Sequence, residues 1–210
     1  EKTNIVSLYD LEGNERDFLE LGQEGIICLN KTPFYAESGG QVGDSGIIES
    51  SGKQFSVSDT QLSGDQHLHI GKVSAGLFKS GETVTAEINV PQRDRARKNH
   101  SATHLVHAAL RKVLGPHVEQ KGSLVNDEKL RFDFTYNEQL TNAQVNKIES
   151  LVNQSIRENI ESRIEFMPTK QAIKSGAIAL FGERYPENVR VISFTNQNKK
   201  SSLSSVELCG

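Results

Sequence analysis

Cysteine is scarce: Cys28 and Cys209 are the only two among 210 residues, too few for a disulfide framework. Both thiols are therefore expected to be free or metal-bound in a reducing compartment. Long apolar runs are missing as well, and residues 1–20 lack the basic-then-apolar order of a signal peptide. These absences argue against a membrane partner and favour a cytoplasmic setting. An excess of positive charge is also lacking, with a formal net charge of −3 and a pI of about 6.1. Any nucleic acid would have to meet a local basic patch, and the densest is Arg93, Arg95, Arg97 and Lys98. The chain opens on Glu1 rather than Met, as expected for a piece of a longer protein. What is present, 35% hydrophobic and 24% charged residues, describes a globular chain of one large or two small domains.

Residues 1–90 are interrupted by Gly, Ser and Asp at short intervals, and apolar residues alternate between the interruptions. Val84, Ala86, Ile88 and Val90 take every second position, and His67-Leu68-His69-Ile70 does so more weakly. Residues 25–29 read as a buried strand. Ile47 and Ile48, Ser51-Gly52, then Phe55 and Val57 read as a hairpin. A small β-barrel or sandwich is expected. Within it, residues 31–46 combine Gly39, Gly40, Gly43 and Gly46 with the polar side chains of Thr32, Ser38, Gln41 and Asp44. Such a segment can bring backbone close to a ligand, and it can equally be a glycine-rich barrel turn.

Pro91 suits the first turn of a helix and Gly115-Pro116 ends it, which predicts one long helix with Val106, Leu110 and Val113 as an apolar stripe. Residues 118–125 and 129–135 read as strands joined through Asn126-Asp127. Thr141 and Gln144 are spaced as a capping box for a second long helix, with Val145, Ile148, Val152 and Ile156 on one face. Further alternation through Ile164 and Phe166, a short helix from Thr169 towards Gly176, and a strand at 189–194 follow. A polar loop at 196–204 leads to a last strand at 205–208 that delivers Cys209 to a sheet end. The expected class is α+β: a small β-barrel over residues 1–90, then over 91–210 a two-layer α/β sandwich with a mainly antiparallel sheet and two long helices.

On the first long helix His100 and His104 are slightly more than one turn apart, so both rings leave the same face and can close on one metal ion. Neutral imidazoles at this spacing suit zinc. Ser101 follows His100 where zinc proteases carry their Glu base, so a peptidase is disfavoured. His107, on the same face, is a rival third ligand or a group behind the ligands. Cys209 is the other candidate, since two His and one thiolate with an open fourth position form a normal catalytic zinc set. Alternatively the histidines simply pack the helix face.

Five segments, in order, resemble the editing domain of alanyl-tRNA synthetase. They are Thr-Pro-Phe-Tyr-Ala-Glu-Ser-Gly-Gly-Gln-Val-Gly-Asp at 32–44, Asn-His-Ser-Ala-Thr-His-Leu-Val-His-Ala-Ala-Leu-Arg at 99–111, Leu-Arg-Phe-Asp-Phe at 130–134, Gly-Ala-Ile-Ala-Leu-Phe-Gly-Glu-Arg-Tyr at 176–185, and the terminal Glu-Leu-Cys-Gly. The resemblance spans almost the whole chain. The editing domain of threonyl-tRNA synthetase shares the His-x-x-x-His helix but not the Ser-Gly-Gly-Gln loop.

The resemblance implies a hydrolase that deacylates seryl-tRNA(Ala) and glycyl-tRNA(Ala). A synthetic site for alanine cannot strongly refuse either amino acid, so a second site must remove the errors. It further implies zinc on His100, His104 and Cys209, a requirement for Gln41, a contact from Thr32 to the serine hydroxyl that helps refuse alanine, and a place for Asp44 in the same loop. The implied partners are the 3′ acceptor end of tRNA(Ala), with Arg93, Arg95, Arg97 and Lys98 near its phosphates, and the rest of the parent synthetase, where activation of alanine would reside. No Asp or Glu is placed by motif as general base, leaving a metal-activated water or the vicinal ribose hydroxyl for that role. The family pattern continues Cys-Gly-Gly-Thr-His, whereas this sequence stops at Gly210. Zinc is accordingly expected to be weakly held here. Two other readings stand beside this one: a tRNA-binding module without catalytic activity, and a general metallohydrolase active on small esters.

Overall fold

The computed structural model describes residues 1–179, 185–195 and 203–209. Most of the expected polar loop at 196–204, the middle of the 176–185 segment and Gly210 lie outside the described residues. The chain divides into two compact units, Glu1–Ala96 and Arg97–Gly210.

The first unit follows from alternation. In β1 (Lys2–Tyr9), Thr3, Ile5 and Ser7 are buried while Lys2, Asn4 and Val6 are exposed, the period of a strand with one wet face. Together with β3 (Glu24–Leu29), β4 (Gly46–Ser50), β5 (Lys53–Ser63), β6 (Gln66–Ala75) and β8 (Thr83–Ile88), it closes an antiparallel barrel in the order β1-β3-β6-β5-β4-β8. Closure is made by β1 on β8, with Lys2 opposite Thr85 and Asn4 opposite Thr83. The short strands β2 (Phe18–Glu20) and β7 (Leu77–Lys79) pair beside it. Ile27, Ile48, Phe55 and Phe78 are wholly enclosed in the core. Gly71 is required on β6, because a Cβ there would lie 2.0 Å from the Ser56 carbonyl oxygen. The expected alternation stops at Ile88. Asn89 accepts the Gln92 amide at 3.2 Å and so caps a helix, which makes Val90 the first residue of α1 (Val90–Leu114) rather than the end of a strand.

In the second unit α1 ends at Gly115, whose φ of 123° few other residues would adopt. Strands β9 (Gln120–Val125) and β10 (Leu130–Phe134) form a hairpin, and α2 (Asn142–Arg157) begins on the expected capping box of Thr141 and Gln144. Strand β11 (Ser162–Pro168), helix α3 (Thr169–Lys174) and strands β12 (Asn188–Phe194) and β13 (Ser205–Leu208) complete the unit. The class is the expected α+β, but the strands divide between two antiparallel sheets, β10-β9 and β11-β12-β13, rather than forming one.

Two expected faces are corrected. Helix α2 buries Ile148, Leu151 and Ser155, whereas Val145 and Ile156 are exposed, so the packed stripe is rotated towards Leu151. Ile164 and Phe166 are largely exposed, because no described element covers their face of β11, the outer strand of its sheet. Leu105 of α1 packs against Ile192, Phe194 and Cys209, which seats one face of the three-stranded sheet on the helix. No helix among the described residues is long and apolar enough to cross a membrane.

Candidate functional site

Strand alternation and helix periodicity build the cluster in the second unit. On β13, Ser205 and Glu207 share the face of Ile192 and Phe194, Cys209 follows two residues later, and Val206 and Leu208 turn to the other side. On α1, His100 and His104 stack at 5.3 Å between ring centroids. The ligating atoms of His100, His104 and Cys209 all lie within 4.8 Å of one another, with Cys209 Sγ 3.4 Å from His100 Nε2. His107 is not part of this triplet.

His107 stands behind the cluster, on a residue that the sequence reading did not single out. Glu207, 5% exposed, accepts from His104 Nδ1 at 2.7 Å on one carboxylate oxygen. Its other oxygen accepts from His107 Nδ1 at 3.1 Å and from the Ser205 hydroxyl at 2.6 Å. With Nδ1 so engaged, His104 Nε2 is buried and makes no hydrogen bond of its own. An orphaned imidazole nitrogen beside a thiol and a second imidazole is a donor set that fits zinc, and a carboxylate behind a ligating histidine is the usual means of orienting the ring.

The charges agree with the geometry. Burial pushes the Cys209 thiol up, but its hydrogen bond with His100 and the electrostatic pull of the His100 and His104 rings outweigh it and bring the pKa down to about 6. Burial disfavours a charged His104, yet Cys209 and Glu207 hold its pKa up to about 9. Burial likewise works against the Glu207 carboxylate, and His104 and His107 overcome it, bringing the pKa to about 2. Near neutral pH the metal-free site thus holds a thiolate and a carboxylate around an imidazolium, whose Nε2 proton a metal ion would displace.

In the first unit, the glycines at 39 and 40 make a tight turn. Both have positive φ, 58° and 81°, and Ser38 and Gln41 pair across them. Gln41 is buried at the base of that turn. Asp44 fixes the loop: its carboxylate accepts the Tyr35 amide at 2.7 Å and is gripped by the Arg93 guanidinium, whose Nε lies 2.7 and 2.9 Å from the two oxygens. Arg93 also donates to the Pro33 carbonyl at 3.0 Å. Of the four cations expected near phosphate, Arg93 is therefore turned into the loop, and Arg95, Arg97 and Lys98 are exposed. Cys28 lies in the barrel wall with its thiol pKa raised by burial, a packing residue.

Thr32 lines a cleft of ≈ 740 Å³ with Lys31, Gln66 and His67. Behind it lies His69, which has no exposed surface. His69 Nδ1 is 2.7 Å from the Ile27 carbonyl oxygen and Nε2 is 2.7 Å from Thr32 Oγ1. Burial is the main cause that lowers its pKa, from 6.5 to about 4. The unfolded chain takes up a proton near 6.5 that the fold refuses until about 4. Stability present above pH 6.5 is accordingly expected to be lost as pH falls towards 4, by about 3 kcal/mol. Urea unfolding across that window checks this, and a His69→Phe chain showing the same slope would contradict it.

His69 and Glu207 were legible only as polar residues in phase with inward-facing neighbours, His69 with Val73 and Glu207 with Ser205. Residues 1–92, nearly all of the first unit, match the family model described as tRNA synthetases class II (A).

Proposed function

We propose that this chain is an editing deacylase of the alanyl system, hydrolysing the ester of seryl-tRNA(Ala) and glycyl-tRNA(Ala) with zinc on His100, His104 and Cys209. The observation that carries this is the convergence of those three donors, with His104 Nε2 buried and unpartnered, in a chain whose first unit matches a tRNA synthetase family. When bound, zinc would supply Lewis-acid polarisation of the ester or of a water.

The chain's own residues have separate tasks. Glu207 holds the His104 ring in one tautomer and aims Nε2 at the metal position. Its oxygens are occupied by two imidazoles and Ser205, so it is not the general base, and the proton lost by the attacking water would be relayed by a second water or by the vicinal ribose hydroxyl to the leaving 3′ oxygen. Thr32 would meet the serine hydroxyl, where alanine offers nothing to bond. Gln41 would act from the turn at 38–41, and Asp44 would act by holding the loop rather than by touching substrate. Arg95, Arg97 and Lys98, exposed on α1, would approach the acceptor-end phosphates. The rest of a parent synthetase in the cytoplasm would be the covalent partner.

Hydrolysis of seryl-tRNA(Ala), with alanyl-tRNA(Ala) as control, tests this in zinc-supplemented and chelated protein. Selective seryl cleavage that disappears on chelation and in His104→Ala, with tRNA binding retained, is the expected result. Binding without cleavage, with zinc added and also in a chain continued through Cys-Gly-Gly-Thr-His, would leave a tRNA-binding module instead. Cleavage of small esters without tRNA would point to a general metallohydrolase.

A further inference from the structure

The hydrogen bonds around Thr32 determine which way its hydroxyl hydrogen points. The Ile27 carbonyl can only accept, so His69 Nδ1 must carry the ring proton, at 2.7 Å. Burial keeps the ring from taking a second proton. Nε2 is then a bare lone pair, and at 2.7 Å it takes the Thr32 hydroxyl hydrogen. The Phe34 amide donates to the same Thr32 oxygen at 3.1 Å. A hydroxyl has one hydrogen and two lone pairs. With the hydrogen and one lone pair committed, a single lone pair remains on a half-buried residue that lines the cleft. The edge of Phe34 closes against the imidazole, 5.0 Å between centroids, and holds the ring in place.

We propose that His69 is a positioning residue that makes Thr32 an acceptor-only recognition group, so that among small aminoacyl groups that carry a β-carbon the cleft selects by a hydrogen-bond donor on that carbon rather than by size alone. This rests on the assignment of Thr32 as the contact for the aminoacyl side chain. Without His69 the hydroxyl could rotate to donate as readily as accept, and a β-substituent that only accepts would be tolerated. With His69 in place, the seryl hydroxyl and the ammonium of 2,3-diaminopropionate satisfy the free lone pair. The fluorine of 3-fluoroalanine meets it lone pair to lone pair, although that side chain is no larger than serine's. Alanine leaves it empty.

The unaltered 210-residue chain, zinc-supplemented, is given tRNA(Ala) carrying seryl, 2,3-diaminopropionyl or 3-fluoroalanyl groups, and the imidazole nitrogens are read separately by 15N NMR. Seryl and diaminopropionyl esters are expected to be cleaved, and the fluoroalanyl ester at least about tenfold more slowly, the loss set by an unmatched polar group. In the spectrum His69 Nδ1 is protonated and Nε2 is an unprotonated acceptor. Thr32→Val moves the Nε2 resonance alone, and Thr32→Ser restores it, neither of which a merely packed histidine would show. A protonated Nε2, or a fluoroalanyl ester cleaved as fast as the seryl one while the diaminopropionyl ester is refused, overturns the proposal and leaves the deacylase function standing. The expected spectrum with no ester cleaved at all removes the deacylase function, and the selectivity with it.

Discussion

Glu207→Ala is expected to lower the stability of the zinc-free chain by about 3–5 kcal/mol and to weaken zinc binding by about 10–100-fold. The carboxylate is buried and accepts from His104, His107 and Ser205 together. Its removal leaves three donors enclosed without an acceptor, and truncating one member of a buried charged set costs far more than the set contributes on balance. The depression of the Glu207 pKa from 4.5 to about 2 corresponds to about 3 kcal/mol, the same size. That contribution is present above pH 4.5 and is lost as pH falls towards 2. Glu207→Gln keeps the volume and one acceptor but turns an amide N–H towards a donor, so it should fall between the two. Denaturant unfolding with and without zinc measures both effects. An alanine variant within about 1 kcal/mol of the parent, with zinc affinity unchanged, would mean that the carboxylate does not organise the cluster.

Asp44→Ala should destabilise the first unit by a similar amount, about 3–5 kcal/mol, because it removes the buried carboxylate that pairs with the half-buried Arg93 guanidinium and accepts the Tyr35 amide. Arg93 would keep only the Pro33 carbonyl among the partners named above. Loss of seryl-ester cleavage should accompany the change, since Thr32 and Gln41 belong to the segment this clamp organises. Asp44→Asn is the informative partner variant. It keeps an acceptor for Tyr35 and loses the charge, so it separates loop geometry from ion pairing. Should Asp44→Ala unfold at the parent's denaturant concentration, the clamp has no structural weight and Arg93 returns to being a candidate phosphate contact.

The fate of Arg93 shows where sequence periodicity stops being informative. A run of cations at the start of a helix looks the same whether it faces solvent or a carboxylate 49 residues earlier, and only the fold brings that carboxylate near. Elements defined by local period were legible: the alternation of β1, β6 and β8, the Pro-to-Gly limits of α1, and the capping box of α2. So was the His100–His104 pair, because four residues on a helix fix their own geometry. Cys209 was legible as a candidate only because a terminal strand can return to a helix across a hundred residues. Glu207 and His69 were not, since a single polar residue in an alternating strand could bond a neighbour, a ligand or water until its opposite face is known. The α2 stripe failed for a related reason. Val145 and Ile156 are in helical phase with Ile148, but the neighbouring elements cover the side of the helix that carries Leu151.

Closure of the barrel by its first and last strands also sets a schedule for synthesis. β1 finds one neighbour, β3, within thirty residues, but its other edge waits for Thr83 to Thr85. On a ribosome adding about 5–20 residues per second, that interval is roughly 4–16 s, during which the Lys2–Tyr9 strand has an open side. Lys2 and Asn4 on its exposed face make that strand a poor template for other chains during the wait. A nascent chain arrested before β8 emerges would therefore be a substrate for chaperones, and one released after it could seal its own edge.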